Sequence, residues 1–411
     1  MNPKRLVERF LRYVTVDTTA NADVEDYPSS KGQLVLGRML VDELREAGLA
    51  DARQDRFGIV WATVPATIGR DAPTIAWCAH LDTSPETTGA GVKPQIIENY
   101  AGGDIVLPGD SRQVIRTSQS PELNALIGRT LITTDGTTLL GADDKAGVAV
   151  IMESAVWLME HPEIPHGPIR LCFTCDEEVG RGVDHIELAE LGAVACYTLD
   201  GQGADTIDVE TFSADMATAT IHGINVHPGI AKGRMVNAVR VAADFLGRLP
   251  RDNAAPETTA DRDGFLHPYQ MRGGVAEVVV EILLRDFQTA GLERWAAQLR
   301  EASQASMAAF PGSKIDLAIV RQYRNMADGL ANDPRAVVHA EKSLQRLGRV
   351  PKQTIVRGGT DGSRLTEMGL PTPNLSAGQH SPHSPLEWAC VEEMLGAVEW
   401  LIALAGSWAN A

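Results

Sequence analysis

Residues Thr133-Thr134-Asp135-Gly136-Thr137-Thr138-Leu139-Leu140-Gly141-Ala142-Asp143-Asp144-Lys145-Ala146-Gly147 decide how this chain is read. The stretch begins apolar and β-prone, breaks at Gly141 and delivers two adjacent aspartates. Lys145-Ala146-Gly147-Val148-Ala149-Val150-Ile151-Met152 follows at once, with the composition of a buried helix. Asp143 and Asp144 therefore stand at a strand-to-helix junction, where main-chain N–H groups point outward and favour anions. A helix start needs a single capping carboxylate, so the second acid calls for another explanation.

Working outward, the same arrangement recurs. Pro73-Thr74-Ile75-Ala76-Trp77-Cys78-Ala79 is a near-continuous apolar run of strand length, as in a sheet covered on both faces, and it ends in His80-Leu81-Asp82. Ile169-Arg170-Leu171-Cys172-Phe173-Thr174 ends in Asp176-Glu177-Glu178-Val179-Gly180, and Ala195-Cys196-Tyr197-Thr198-Leu199 ends in Asp200-Gly201. Strands alternating with helices predict an α/β fold with a mostly parallel sheet and helices on both faces. Ligands of such sheets bind at the carboxyl ends of the strands, where all four polar clusters fall.

Helices are expected at residues 3–15 and 31–47, the second with Leu34, Met39, Leu40 and Leu44 on one stripe, and a strand at 57–62. Residues 86–130 read as a long loop with short strands. The pattern changes after about Glu210. A strand near 217–223, a helix near 235–248, a polar turn-rich stretch at 251–273, a strand at 275–284, a helix at 291–310 and a strand at 313–320 suggest a smaller α/β sandwich. It occupies 211–324 and is inserted into a metal-binding domain made of 1–210 and 325–411.

The chain has 411 residues, too many for one ordinary core, and its 44% hydrophobic and 22% charged content is that of a soluble globular protein. A formal charge of −17 with no offsetting basic run would repel phosphate backbones, so nucleic acid is not an expected partner. There is no apolar run of bilayer-spanning length, and the first ten residues read as an amphipathic helix rather than a signal peptide, so no membrane is expected and a cytoplasmic location is. Five scattered cysteines fit a reducing compartment. Cys172 and Cys175 have C-x-x-C spacing, but on a strand i and i+3 face opposite sides, so buried core thiols are expected rather than a redox pair.

The strand-end residues make a chemical set. Two histidines with several carboxylates suit zinc, manganese or cobalt. Five ligands with one shared carboxylate would hold two ions per chain: Asp143 bridges, His80 and Asp200 complete one site, and Glu178 and His383 complete the other. His380 lies close to His383, and the sequence does not choose between them. A hydroxide between the ions becomes a strong nucleophile at neutral pH. Glu177, left over beside a ligand, is placed to act as general base and pass the proton to a leaving amine. Asp82, two residues from His80, shares its face of the strand and can orient the imidazole.

The segments His80 to Pro85, Gly141 to Gly147, Asp176 to Gly180, Thr198 to Gly201 and Asn225 to Gly229 occur in the order seen in the peptidase T family, and the chain resembles that family over nearly its whole length. Asn99-Tyr100-Ala101-Gly102-Gly103-Asp104 and Arg357-Gly358-Gly359-Thr360-Asp361-Gly362 belong to the resemblance too. The family consists of tripeptide aminopeptidases within a clan of co-catalytic zinc peptidases and aminoacylases. The resemblance implies the same ligand scheme, two zinc ions with cobalt or manganese as substitutes, and a short peptide as substrate. It implies that 211–324 is a lid, that His227 stabilises the oxyanion, and that Arg285, Arg357 and Asn374 hold the substrate's carboxylate or backbone. It also implies a cis peptide at Asp143–Asp144. The lid is the expected surface of a homodimer. The chain departs from the family at Ser384, Pro385 and Leu386, where His-Gly-Lys-His-Glu is usual, and at Cys175, usually proline. A related dipeptidase, carboxypeptidase or N-acyl amino acid deacylase would use the same metal core, and an inactive binding protein of the same fold would have no need of Glu177.

Overall fold

The computed structural model describes residues 1–69 and 71–409. The chain divides into two compact units. The first comprises Met1–Val209, Asp328–Thr354 and Thr360–Ala411, and the second Glu210–Ala327 with Ile355–Gly359. The segment 355–359 thus belongs to the second unit, and Arg357 with it, which corrects the assignment of 325–411 as a whole to the first.

The first unit is built on an 11-stranded mixed sheet. Its centre is parallel: Ile75–His80 lies between Ile169–Thr174 and Ala195–Gln202, and Asn374–His380 follows Ala195–Gln202. Shorter antiparallel strands flank this centre, among them Val60–Val64 on one side and Trp388–Cys390 and Leu131–Thr133 on the other. The apolar runs are continuous because both faces are covered. Trp77, Leu171 and Tyr197 pack on one side with the helices Pro3–Val14, Lys31–Glu46, Ala142–Glu160 and Val391–Trp408. Cys78, Cys172 and Cys196 pack on the other with Val183, Ile186 and Leu365. All five cysteines are buried and unpaired. Among the described residues no helix is long and apolar enough to cross a membrane.

The second unit is a four-stranded antiparallel sheet in the order Phe265–Gly273, Glu277–Asp286, Ser213–His222, Lys314–Tyr323. The helices Ala238–Gly247 and Thr289–Ala309 bury one face through Phe245, Leu292 and Leu299 against Val280, Ile282 and Leu284.

Two expectations shift. The strand expected at 57–62 begins at Val60, because Asp55 accepts hydrogen bonds from the N–H of Phe57 (2.8 Å) and Ile59 (3.1 Å) and holds a turn there. The stretch read as turns at 251–273 contains the strand Phe265–Gly273. It is an edge strand, mostly exposed, with Pro268 beside a bulge, so neither alternation nor composition marks it.

Candidate metal centre

His80 closes its strand, and its ring is oriented at both nitrogens. Nδ1 lies 3.1 Å from the main-chain oxygen of Asp82 and Nε2 lies 2.9 Å from Asp143 Oδ1. The carbonyl partner keeps a proton on Nδ1, so that loss of the Nε2 proton would leave its lone pair directed toward Asp143 and a shared cation. The other oxygen of Asp143, Oδ2, is 3.3 Å from His383 Nε2, and that nitrogen is 3.0 Å from Glu178 Oε2. Asp200 Oδ1 stands 3.9 Å from His80 Nε2. In a tetrahedral site with bonds of about 2.0–2.1 Å, neighbouring ligand atoms are roughly 3.3 Å apart, so these separations are those of donors arranged around a cation. The structure brings His80, Asp143, Glu178, Asp200 and His383 together. His380 points elsewhere, with Nε2 2.6 Å from Glu393 and its ring stacked on Trp388.

Asp144, given no role from sequence, joins the cluster. Its carboxylate groups with His80 and Asp200, and its Oδ2 accepts the His80 N–H at 3.2 Å. The Asp143–Asp144 peptide is cis.

Buried side chains hold these groups in place. The Asp82 carboxylate accepts the main-chain N–H of Glu177 (3.1 Å) and Glu178 (3.0 Å). Asp176, buried and left-handed at φ 62°, is gripped by Ser29, Gln33 and Arg181. Gln379 donates to the main-chain oxygen and Oδ1 of Asp200 (3.0 and 3.1 Å). Asn374 is buried; its Oδ1 accepts from Thr198 Oγ1 and the Asp200 N–H, and its Nδ2 donates to Asp208, so this amide braces the Asp200 strand end.

Electrostatics describe a cluster short of positive charge. Burial lifts Asp144, Asp200 and Glu177 well above the carboxylate range, and raises Glu178 to about 7 with Asp143 adding to the effect and His383 opposing it. Burial would lower His383, but Asp143 and Glu178 push it up to about 12. It would likewise raise Asp143, but His383 and His80 hold it well below its usual value. The histidines carry protons where a metal cation would sit. The buried Oε1 of Glu178 and Oδ1 of Asp144 find no hydrogen-bond partner among the described residues. Imidazole and carboxylate donors, orphaned acceptors and an excess of buried acid all fit divalent cations.

The remaining expected residues lie in the second unit. His227 is exposed, and its Nδ1 accepts the Gly229 N–H at 3.1 Å. Arg285 donates to the main-chain oxygens of Asp215 and Leu284 and lies 5.7 Å over the Tyr323 ring. Arg357 donates to the oxygens of Asp261 and Asp263 and to Thr259 Oγ1, each at 2.9 Å, and lies over Phe212.

Residues 135–407 match the family described as Peptidase family M20/M25/M40. The chain is 44% identical over 401 residues to a peptidase T of Geobacillus thermodenitrificans, covering 98% of this chain and 97% of that one. It is 42% identical over 402 residues to peptidase T of Bacillus subtilis, covering 98% of each. The crystal structure of aminopeptidase PepT from Bacillus cereus superposes with a TM-score of 0.75 at 25% identity, covering 100% of this chain and 99% of the other. A tripeptidase from Staphylococcus aureus shares the fold, with a TM-score of 0.78 at 22% identity and full coverage of both chains.

Proposed function

The chain belongs to peptidase family M20/M25/M40, and on that premise we propose that it is a metal-dependent aminopeptidase releasing the N-terminal residue from tripeptides. The observation that carries this reading is the placement of Asp143, whose two oxygens face His80 and His383 from one carboxylate. His80, Asp143 and Asp200 would hold one divalent cation, and Asp143, Glu178 and His383 a second. Zinc is the proposed native metal, with cobalt and manganese as substitutes, on the nitrogen and oxygen donor set. Cations bound there supply Lewis acidity and bring the pKa of water toward neutrality.

The chain's own groups do the rest. Glu177 is the general base of this proposal. Burial raises its carboxyl, which suits a group that must take a proton near neutral pH and return it to the leaving amine. Asp82 keeps the His80 ring in the tautomer that leaves Nε2 free for a metal, and fixes the peptide unit from which Glu177 springs. For the second unit we propose a lid role, with His227 stabilising the oxyanion and Arg285 and Arg357 selecting the substrate's carboxylate; the family resemblance supports these roles. Asn374 is assigned instead to bracing Asp200. Five unpaired thiols support a cytoplasmic location.

Purified protein incubated with zinc or cobalt and with free, N-acetylated and C-amidated tripeptides tests the reading. Free tripeptides should lose their first residue, N-acetylated ones should resist, and C-amidated ones should be cut more slowly. Hydrolysis of N-acyl amino acids without release of N-terminal residues would assign the site to a deacylase.

A further inference from the structure

The turn that carries Asp143 is held by a residue four positions beyond His383. Glu387 is 1% exposed. Its Oε2 accepts the main-chain N–H of Leu140 (2.8 Å) and Gly141 (2.7 Å), and its Oε1 that of Asp143 (2.9 Å). These amides lie where the chain is neither strand nor regular helix: Gly141 is left-handed at φ 79°, and Asp143 has φ −83° and ψ 106°. Buried amides of this kind need acceptors, and one carboxylate supplies all three. Glu387 is itself fixed by its N–H, which bonds to Ser384 oxygen at 3.2 Å and closes the turn that begins beside His383.

One side chain therefore ties the turn of His383 to the turn of Asp143, which is 244 residues away in sequence. Asp82 ties His80 to Glu178, and Glu387 ties the turn of His383 to that of Asp143. We propose that Glu387 is a positioning residue that sets Asp143 at its separation from His383, and through that separation the affinity of the centre for its cations. This inference rests on the metal reading above. A neutral amide does the work poorly, because it offers one oxygen and turns N–H toward a donor.

The test compares wild type, Glu387→Asp and Glu387→Gln as metal-free proteins titrated with Co2+ and followed by visible absorption. Loss of a group that orients metal ligands typically costs about 10–100-fold in affinity. Glu387→Gln should shift the cobalt midpoint up by that factor while far-UV circular dichroism stays that of wild type. Glu387→Asp should recover part of the shift, and excess metal should restore most of kcat with KM little changed. A Glu387→Gln protein with the wild-type midpoint overturns the inference. If the wild type itself takes up no cobalt, it is the metal reading that fails. A second arm needs no variant: amide hydrogen exchange over 139–144 in the metal-free wild type should be slow. Fast exchange that slows only with metal would show that the turn is ordered by the ion and not by Glu387.

Discussion

Asp82 Oδ1 lies 3.1 Å from the main-chain nitrogen of Glu177, so the residue whose carbonyl faces His80 Nδ1 also fixes the start of the turn that carries the proposed base. Both tasks fall to one buried residue, whose main-chain carbonyl faces His80 while its carboxylate accepts from the two glutamates. Asp82→Asn keeps the carbonyl and one acceptor oxygen but places an N–H against a donor. It should lower kcat by about 10–100-fold with a smaller loss of metal. Steady-state kinetics with metal analysis of the same sample checks this.

Glu177→Gln should leave metal content unchanged and lower kcat by about 100- to 10,000-fold, the range of general acid–base catalysis. Near-normal turnover would remove Glu177 from the mechanism. Loss of metal would mean that it acts as a ligand.

Metal binding should release protons. In the metal-free centre His383 is pushed up to about 12 and His80 lies well above its usual value, so both hold protons at neutral pH. Ligands must be deprotonated, and binding should therefore expel at least the two histidine protons, with more from Asp200 and Glu178, which burial raises, and should tighten as pH rises. Calorimetric titration with zinc in two buffers of different ionisation enthalpy measures the number. No buffer dependence would refute it.

Asp361 gives a stability signature outside the ligands. It is 6% exposed, accepts from Thr174 Oγ1 at 2.7 Å, and is raised to about 7 by burial, with the Cys78 thiol adding to the effect and Thr174 opposing it. A folded pKa above the unfolded one favours folding below the unfolded value, near about 4, and that contribution is lost as pH climbs to about 7. Asp361→Asn keeps an acceptor for Thr174 and cannot ionise. The Tm difference between variant and wild type, both metal-free, should grow in the variant's favour from about pH 4 to pH 8.

Glu153 is buried between Arg5 and Arg9, at 2.7 and 2.5 Å, where the helix Ala142–Glu160 meets Pro3–Val14. Glu153→Ala removes the buried carboxylate that both arginines share but leaves Arg5 with Glu160 and Arg9 with Glu43, so it should cost about 1.5–3 kcal/mol in urea unfolding. A cost below about 1 kcal/mol would show that solvent screens the pairs.

The clustered candidate residues are legible because each follows an apolar run that cannot itself need an acid: His80 after Trp77, Glu178 after Phe173, Asp200 after Tyr197. Periodicity places a strand end, and the residue type then reports the chemistry. His383 was not separable from His380 on those terms, since both stand around one turn and the partners that divide them, Asp143 and Glu393, are set by tertiary packing. The role of Glu387 was hidden for the same reason: its donors are backbone amides more than 240 positions away. The substrate role of Asn374 comes from the family resemblance alone, since nothing near it in sequence shows its partners. Its actual partners, Thr198, Asp200 and Asp208, come from neighbouring strands.

The discontinuous first unit has a consequence for biosynthesis. Asn374–His380 pairs directly with Ala195–Gln202, yet the ribosome must make the whole second unit between them. At about 5–20 residues per second, the interval between Asp200 and His383 is roughly 10–40 seconds. During that time His80, Asp143, Glu178 and Asp200 exist on a nascent chain without the strand that completes their sheet or the histidine that closes their site. On the proposed scheme the cation shared by Asp143, Glu178 and His383 lacks a ligand until His383 has been made. Translation order thus puts the proposed dinuclear centre together only after the second unit has been synthesised.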